Sequence, residues 1–219
     1  VQAQLKRFSS DRIEIPCMIG GKEIFTGNKR TVVMPHQHRH VLAEFHLAGE
    51  KELHLAADTA VQSAKAWAEM NWQDRAAVFL KAADLLEGPY RDVLNASTML
   101  GQSKNIFQAE IDAACELIDF FRFNARYYEQ ILGEQPLSTP GVWNRMEYRP
   151  LEGFVFAITP FNFTSIAANL CAAPALVGNT VVWKPSDTQM LSAYYTMKLF
   201  QDAGLPEGVI NLVGADGPL

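Results

Sequence analysis

The clearest pattern in the chain is an apolar run that stops at a proline and is followed by polar residues. Residues 154–159 are almost all β-branched or aromatic, Pro160 ends the run, and Asn162 follows between two phenylalanines. Such a run predicts a strand that is buried on both faces, and the small residues after Thr164 predict a helix. Because ligands bind at the carboxyl ends of strands in open α/β sheets, Asn162 becomes a candidate site residue.

The same unit recurs along the last part of the chain. A second short apolar run carries Lys184 at its end and is broken by Pro185. The predicted order of elements is strand 154–159, helix 165–176, strand 180–184, helix 189–203 and strand 209–213. This alternation predicts right-handed crossovers and a parallel sheet, so the fold class is α/β.

The middle of the chain has helical periodicity. Apolar residues recur at three- and four-residue steps in residues 50–135, and the longest predicted helix covers residues 106–132. Its carboxylates Glu110, Asp112 and Asp119 are expected on a solvated face, whereas the pattern leaves Glu116 ambiguous.

Breaks in the pattern divide the chain into four predicted units. Residues 1–49 are strand-like, with a hairpin at the pair Gly20 and Gly21. Residues 50–135 are helical, residues 136–150 form a proline-rich strand-like linker or arm, and residues 151–219 hold the strands and helices of the α/β part.

Composition narrows the function class. The chain has 219 residues and a net charge of -5, without a long run of Lys or Arg, so neither nucleic acid nor an anionic membrane is an expected partner. Apolar stretches stay shorter than the ~18 residues that a membrane helix needs. These features favour a small-molecule partner.

Metal binding has weak support. His36, His38 and His40 would share one face of a strand, and three imidazoles on one face are able to hold a metal. No carboxylate or cysteine completes the set, so a solvated strand face is the favoured interpretation and no metal is predicted. Cys17, Cys115 and Cys171 are odd in number and lack close pairing, which argues against a disulfide scaffold and against a zinc knuckle.

Two polar residues at the strand ends carry the candidate chemistry. The Asn162 amide is a donor suited to a developing oxyanion, although asparagine after proline is also a common turn residue. Lys184 is a cation suited to ribose hydroxyls or phosphate, although a surface lysine is equally compatible with the pattern. Neither Gly-x-Gly-x-x-Gly nor a P-loop follows a strand, so a nucleotide would be held differently. Cys171 lies among small apolar residues without a nearby His, which argues against a nucleophile.

Three motifs in register resemble the cofactor-binding half of the aldehyde dehydrogenase superfamily. They are Ile158-Thr-Pro-Phe-Asn-Phe163, Ala173-Pro-Ala-Leu-Val-Gly-Asn-Thr-Val-Val-Trp-Lys-Pro-Ser186 and Ala203-Gly-Leu-Pro-Glu-Gly-Val-Ile-Asn211. The segments 108–124 and 161–164 are most similar to the Δ1-pyrroline-5-carboxylate (glutamate semialdehyde) dehydrogenases of proline breakdown. The resemblance implies the first βαβαβ part of a Rossmann-like cofactor domain after a helical region with small β-hairpins.

The resemblance also implies roles for particular residues in the oxidation of an aldehyde by NAD, with NADP as the alternative. Asn162 would donate to the oxyanion, and Glu116 and Phe163 would shape the substrate pocket. The remaining positions would bind the cofactor: Ile158, Thr159, Pro160 and Phe161 at the nicotinamide, Lys184, Pro185, Ser186 and Asp187 at the adenosine ribose, and Gly217 and Pro218 near the pyrophosphate. Relatives mostly carry Glu at position 187, which leaves the cofactor preference open.

The family's nucleophilic cysteine, general-base glutamate and Thr-Gly-Ser cofactor turn are absent before Leu219. The 219-residue chain is therefore expected to be the inactive leading fragment of such an enzyme, or alternatively a non-catalytic dinucleotide-binding or assembly module. A sheet of three parallel strands would leave an edge and a face uncovered, which predicts exposed apolar surface and with it self-association or poor solubility. The resemblance further implies a homo-oligomer at full length, in the bacterial cytoplasm or the mitochondrial matrix of a eukaryote.

Overall fold

The computed structural model describes residues 1–217. From Val155 onwards its strands and helices alternate as the sequence predicts, whereas the prediction that residues 1–49 are strand-like is wrong for Gln2–Ser10, which form a helix. The helices are α1 (Gln2–Ser10), α2 (Glu50–Glu69), α3 (Trp72–Glu87), α4 (Arg91–Gln102), α5 (Ile106–Ala109), α6 (Leu117–Gly133), α7 (Thr164–Leu176) and α8 (Met190–Asp202). The strands are β1 (Ile13–Ile15), β2 (Cys17–Ile19), β3 (Lys22–Ile24), β4 (Lys29–Met34), β5 (Gln37–His46), β6 (Val155–Thr159), β7 (Val181–Pro185) and β8 (Ile210–Leu212). Within residues 1–217, no helix combines the length and the apolar character that crossing a bilayer requires.

The strands form two sheets. The larger has the order β3-β2-β8-β7-β6, in which β6, β7 and β8 are parallel and the β2–β3 hairpin joins β8 in antiparallel orientation. The smaller has the order β1-β5-β4. The α/β class, the parallel strands and the hairpin at Gly20 and Gly21 are confirmed. The predicted sheet of only three strands is wrong, because the hairpin extends it by two strands beyond β8.

One edge and one face of the larger sheet remain uncovered at β6. Phe156 pairs in register with Val182, which packs against Ala56 and Ala60 of α2, so α2 covers this face at β7. At β6 the same face is open, and the side chains of Phe156 and Ile158 are 54% and 65% exposed. The predicted exposed apolar surface is therefore present at β6.

The opposite face of the sheet carries the main core. Trp183 of β7 is fully buried there, together with small residues of α7 such as Ala168. Three aromatic rings, those of Phe79, Phe121 and Phe200, join α3, α6 and α8 with centroids about 6 Å apart. α7 packs directly on β6 and β7, and α3 and α6 of the middle region pack on α7 from the other side.

The long predicted helix contains an irregular turn. A π-helical segment, Glu110–Glu116, connects α5 to α6, so the helical run from Ile106 to Gly133 is continuous. A π turn widens the helix and changes which residues face inward. As a result Asp112 is only 3% exposed, and the prediction that it lies on a solvated face is wrong.

Residues 136–150 contain no strand. An isolated bridge joins Thr139 to Val142, and the side chains of Leu137 and Trp143 are largely exposed. The role of this segment as an arm, like the division into four units, remains a prediction.

A buried arginine, Arg75, connects the carboxyl ends of α2 and α7 to Tyr128 of α6. The Arg75 guanidinium donates from Nε to the Leu176 carbonyl (3.1 Å), from Nη1 to the carbonyls of residues 67, 68 and 70, and from Nη2 to the Tyr128 hydroxyl (2.9 Å). It therefore places a positive charge at the carboxyl ends of α2 and α7, where the helix dipoles favour one.

Replacing Arg75 by lysine is expected to destabilise the chain by about 2 kcal/mol, because a single ammonium cannot reach acceptors that a planar fork serves from several sides. Urea unfolding of the 219-residue chain measures the change. The matched control is Arg126→Lys, since Arg126 is exposed and within residues 1–217 forms an ion pair with Glu129 alone. Equal unfolding midpoints for the two variants would contradict the assigned role.

Candidate functional site at the β6 and β7 strand ends

The carboxyl ends of β6 and β7 lie side by side. The parallel register sets Ile158 beside Lys184 and Thr159 beside Pro185. The Thr159 hydroxyl accepts a hydrogen bond from Trp183 Nε1 (2.9 Å). The Thr159 side chain therefore lies in the core, and Thr159 is available to a ligand at the end of β6 only through its backbone. The exposed face of this edge is formed by the Ile158 side chain.

Asn162 lies on the turn between β6 and α7. Pro160 follows the last strand residue, and the turn exposes Phe161, Asn162 and Phe163. Within residues 1–217 the only hydrogen bond of Asn162 uses its backbone carbonyl, so the side-chain amide is exposed and free to bind a ligand.

The backbone of this turn, by contrast, is held by side chains from three other segments. Lys104 Nζ donates to the Asn162 carbonyl (2.5 Å), and Gln189 Nε2 donates to the Phe163 carbonyl (2.7 Å). Asp112 accepts from the backbone amides of Thr164 and Ser165, both at 2.9 Å. The turn backbone is therefore held in place, and the Asn162 side-chain amide remains available as a donor to a bound molecule.

Asp112 caps α7 from another helix. The residue preceding α7 is Phe163, which has no side-chain oxygen to offer, and the first amides of the helix are buried. Asp112 satisfies two of them and also accepts from the Ser165 hydroxyl (2.7 Å), while Lys104 balances its charge at 2.7 Å. An anion at a helix amino terminus is stabilised by the helix dipole as well.

Glu116 and Phe163 lie at the same end of α7 as Asn162. The half-buried Glu116 carboxylate is 2.5 Å from the Ser165 hydroxyl, and the Phe163 ring packs under Lys104 Nζ with 4.4 Å to its centroid. Ser165 has one hydroxyl hydrogen and contacts two carboxylates, so it donates to Asp112 or to Glu116 but not fully to both.

The end of β7 carries a charged cluster. Lys184 Nζ is 4.0 Å from Asp187 Oδ1, and the Lys184 side chain is only 19% exposed. Arg30, on β4, donates to Asp187 and to Asp216, each at 2.5 Å. Arg30 thereby joins the segments that follow β7 and β8. Ser186 is half-buried, and its hydroxyl lies 3.3 Å from that of Thr188.

The glycine predicted to lie near a pyrophosphate is exposed. A Cβ at Gly217 would meet nothing within 4 Å, so no close approach of backbone requires glycine there. Pro218 lies outside the described residues.

None of the three cysteines is an activated nucleophile in residues 1–217. Burial raises the pKa of Cys171 well above its usual range and that of Cys17 to about 11. Partial burial and the neighbouring Glu110 carboxylate raise the pKa of Cys115. Since the thiolate is the reactive form, all three are poorly suited to attack a carbonyl, as the sequence predicts for Cys171.

The histidines do not form the shared face considered for a metal. His36 lies in the turn between β4 and β5, where its Nδ1 is 2.8 Å from the Ser103 hydroxyl, so the prediction of three histidines along one strand is wrong. The part of the chain described by the structure contains no group of three or more His, Cys, Asp or Glu residues able to hold a metal ion.

Sequence reasoning placed Asn162, Phe163, Glu116 and the β7 end in the site but missed the residues that support them. Lys104, Asp112, Gln189 and Arg30 carry no motif, and each supports the site through a contact with a residue that is distant in sequence. The one available signal was the four-residue spacing between Asp112 and Glu116, which places both carboxylates on one side of a helix.

Comparison of the sequence with known proteins identifies a family that the chain matches. The aldehyde dehydrogenase family model matches residues 25–218. The mitochondrial Δ1-pyrroline-5-carboxylate dehydrogenase of Bos taurus is 51% identical over 218 residues, which is all of this chain and 39% of the bovine protein. The Agaricus bisporus enzyme of the same name is 51% identical over 215 residues and is likewise covered over 39% of its length. This chain therefore spans about two fifths of the length of these relatives.

Solved structures of proteins with the same enzyme name are also similar to this chain. The Δ-pyrroline-5-carboxylate dehydrogenase from Mycobacterium tuberculosis bound with NAD has 54% sequence identity and a TM-score of 0.97, covering 99% of this chain and 41% of that one. A point mutant of the Thermus thermophilus 1-pyrroline-5-carboxylate dehydrogenase has 29% identity and a TM-score of 0.90, covering 99% and 42%.

Proposed function

The chain belongs to the aldehyde dehydrogenase family, and on that premise we propose that it is the leading part of an enzyme that oxidises an aldehyde with NAD. The substrate is L-glutamate 5-semialdehyde, formed from Δ1-pyrroline-5-carboxylate, and the product is L-glutamate in proline degradation. Two curated relatives, each about 51% identical, carry the matching name and support this substrate.

The observation that carries the proposal is the free amide of Asn162 on a turn whose backbone is held in place. When a nucleophile attacks an aldehyde, negative charge develops on the carbonyl oxygen. A fixed N–H donor aimed at that oxygen stabilises the transition state without a cost for reorganisation. The side-chain amide of Asn162 is available for this role, because the contact with Lys104 fixes the backbone carbonyl of Asn162 and leaves the side chain free.

The residues at the strand ends suit a dinucleotide. The aligned ends of β6 and β7 offer the open face of Ile158 next to the partly buried cation of Lys184. We assign the stretch 158–161 to the nicotinamide side, Lys184 to Ser186 to the adenosine ribose, and Gly217 and Pro218 to the neighbourhood of the pyrophosphate. NAD, when bound, accepts the hydride from the substrate.

The choice between NAD and NADP depends on Asp187. A free carboxylate there would bind the ribose 2′-hydroxyl and repel a 2′-phosphate. In the structure Arg30 and Lys184 offset its charge, so repulsion of a 2′-phosphate is weakened. NAD is proposed because the similar Mycobacterium tuberculosis dehydrogenase has been solved bound with NAD, and NADP is the alternative.

Glu116 and Phe163 are proposed to form one wall of the substrate pocket. The semialdehyde carries an ammonium group, which a carboxylate is suited to bind, and an aliphatic stem, which an aromatic ring is suited to cover. Both residues lie at the amino end of α7 beside Asn162, so one pocket serves recognition and chemistry.

A second candidate is a non-catalytic dinucleotide-binding or assembly module. The raised pKa values of all three cysteines favour it for the isolated chain, because no activated thiolate is available within residues 1–217. For the whole protein we propose a homo-oligomer, cytoplasmic in a bacterium and in the mitochondrial matrix of a eukaryote. The exposed apolar residues of β6 support the association of this chain with further protein surface.

The deciding experiment compares the 219-residue chain with a longer protein obtained by extending the reading frame past Leu219. Both are supplied with glutamate semialdehyde and either NAD or NADP, and formation of the reduced cofactor is followed. The longer protein is expected to reduce NAD, and the 219-residue chain is expected to be inactive. Turnover by the 219-residue chain would refute its proposed inactivity. A stop codon directly after Leu219 would instead favour the module.

A further inference from the structure

We propose that Lys104 is a positioning residue for the aldehyde site, acting on Asn162 through the turn backbone and through Asp112. This inference rests on the proposed function, because it assigns Lys104 to the same chemistry. Sequence periodicity gives no indication of it, since Lys104 lies in the short loop between α4 and α5.

The Lys104 ammonium makes three contacts that converge on one place. It donates to Asp112 Oδ2 (2.7 Å) and to the Asn162 carbonyl (2.5 Å), and it lies 4.4 Å from the centroid of the Phe163 ring. The side chain is only 15% exposed. An ammonium has three donors, and a site that satisfies two of them and places an aromatic face near the cation holds its position firmly.

The loop that carries Lys104 is itself constrained. Ser103 has φ 55°, and it is the only residue other than glycine with positive φ within residues 1–217. Such a conformation costs about 1 to 3 kcal/mol and persists where surrounding contacts require it. On one side Gln102 donates to the Thr164 hydroxyl (2.8 Å), and on the other Asn105 and Gln108 form a capping box for α5. The strained turn therefore directs Lys104 towards residues 162–164.

Lys104 also balances a buried charge near the reacting centre. Asp112 is 3% exposed and lies at the amino end of α7, close to the turn that presents Asn162. Without Lys104, an uncompensated carboxylate would oppose negative charge developing on a substrate oxygen bound by the Asn162 amide. Removal of Lys104 would thus both loosen the turn and weaken the stabilisation of the oxyanion.

A purely structural lysine would behave differently from a positioning one. The amides of Thr164 and Ser165 and the Ser165 hydroxyl still bind Asp112 when Lys104 is gone, so α7 keeps its cap, but without the ion pair to Lys104 the cap opens locally more often. The main loss is the restraint on the Asn162 carbonyl. The effect should therefore appear in kcat and in local exchange at the turn, rather than in global unfolding or cofactor binding.

The test uses Lys104→Met, with Lys104→Arg as the conservative variant. Lys198→Met is the matched control, since Lys198 also combines an ion pair (2.6 Å to Glu23) with a cation–π contact (5.4 Å to the Tyr194 ring) but lies on α8 away from the turn. In the longer protein, K104M is expected to lower kcat about 10- to 100-fold with KM for NAD within about threefold of wild type. K104R should restore kcat to within about fivefold of wild type, because it keeps the charge.

Hydrogen exchange of the 219-residue chain gives a readout that does not need activity. The amides of Thr164 and Ser165, which donate to Asp112, are expected to exchange about tenfold faster in K104M than in wild type, with no change there in K198M. Faster exchange throughout K104M, or kcat within about twofold of wild type, would overturn the proposal. If the wild-type longer protein does not oxidise aldehydes, the proposed function fails, while the exchange result still decides whether Lys104 fixes the turn.

Discussion

Replacing Asn162 by alanine is expected to lower kcat of the longer protein about 100- to 1000-fold, because the substrate oxygen loses a preorganised donor. The fold should remain intact, since the Asn162 side chain makes no hydrogen bond within residues 1–217 and is exposed to solvent. KM should change little, as the contact strengthens only when charge develops on the oxygen. Steady-state kinetics with glutamate semialdehyde and NAD measures both quantities.

Two further variants make the interpretation specific. Asn162→Asp keeps the shape but replaces the donor by an anion, so kcat should be at least as low as in N162A. Asn71→Ala removes an exposed asparagine that makes no side-chain cap hydrogen bond at the start of α3, and it should leave kcat unchanged. An N162D variant with near wild-type kcat would show that donation from this amide is not required.

Replacing Asp112 by alanine is expected to destabilise the 219-residue chain by about 3 to 4 kcal/mol. The variant leaves the buried amides of Thr164 and Ser165 without an acceptor, and it leaves Lys104 unpaired at 15% exposure. Denaturant unfolding measures the change in the free energy of unfolding. Asp112→Asn keeps one acceptor oxygen and should fall between alanine and wild type.

The matched control for Asp112 is Asp119, an exposed carboxylate in the first turn of α6. Asp119→Ala is expected to change stability by less than about 0.5 kcal/mol, as is usual for surface substitutions. A loss below about 1 kcal/mol in D112A would mean that water replaces the carboxylate at the α7 amides without much cost.

The elements nearest the site were predictable because each is encoded locally. The buried strands β6 and β7 follow from apolar runs that end at Pro160 and Pro185, and α7 follows from the small residues after Thr164. The position of Asn162 follows in turn from the rule that ligands bind at strand carboxyl ends. None of these inferences requires knowledge of a contact between distant residues.

The residues that support the site were not predictable, because their roles depend on tertiary contacts. From the sequence alone, Asp112 fits the polar side of an amphipathic helix. It becomes a buried cap because the π-helical segment turns it inward and the amino end of α7 packs against it. Lys104 and Arg30 look like ordinary loop and strand cations until the fold sets them against Asn162 and Asp187. Pairing of β2 with β8 likewise leaves no local trace.

The β2–β3 hairpin has a consequence for how the molecule is made. The Gly20 amide donates to the Asn211 side chain across 191 residues, and Met18 of β2 pairs with Leu212 of β8. At ribosomal rates of about 5 to 20 residues per second, the hairpin waits about 10 to 40 s before its partner strand is synthesised. Until then Cys17, Met18 and Ile19, all buried in the finished sheet, are exposed on the nascent chain. Chaperone binding during translation is therefore expected to concentrate on this hairpin, and folding of the larger sheet should be completed only after β8 emerges.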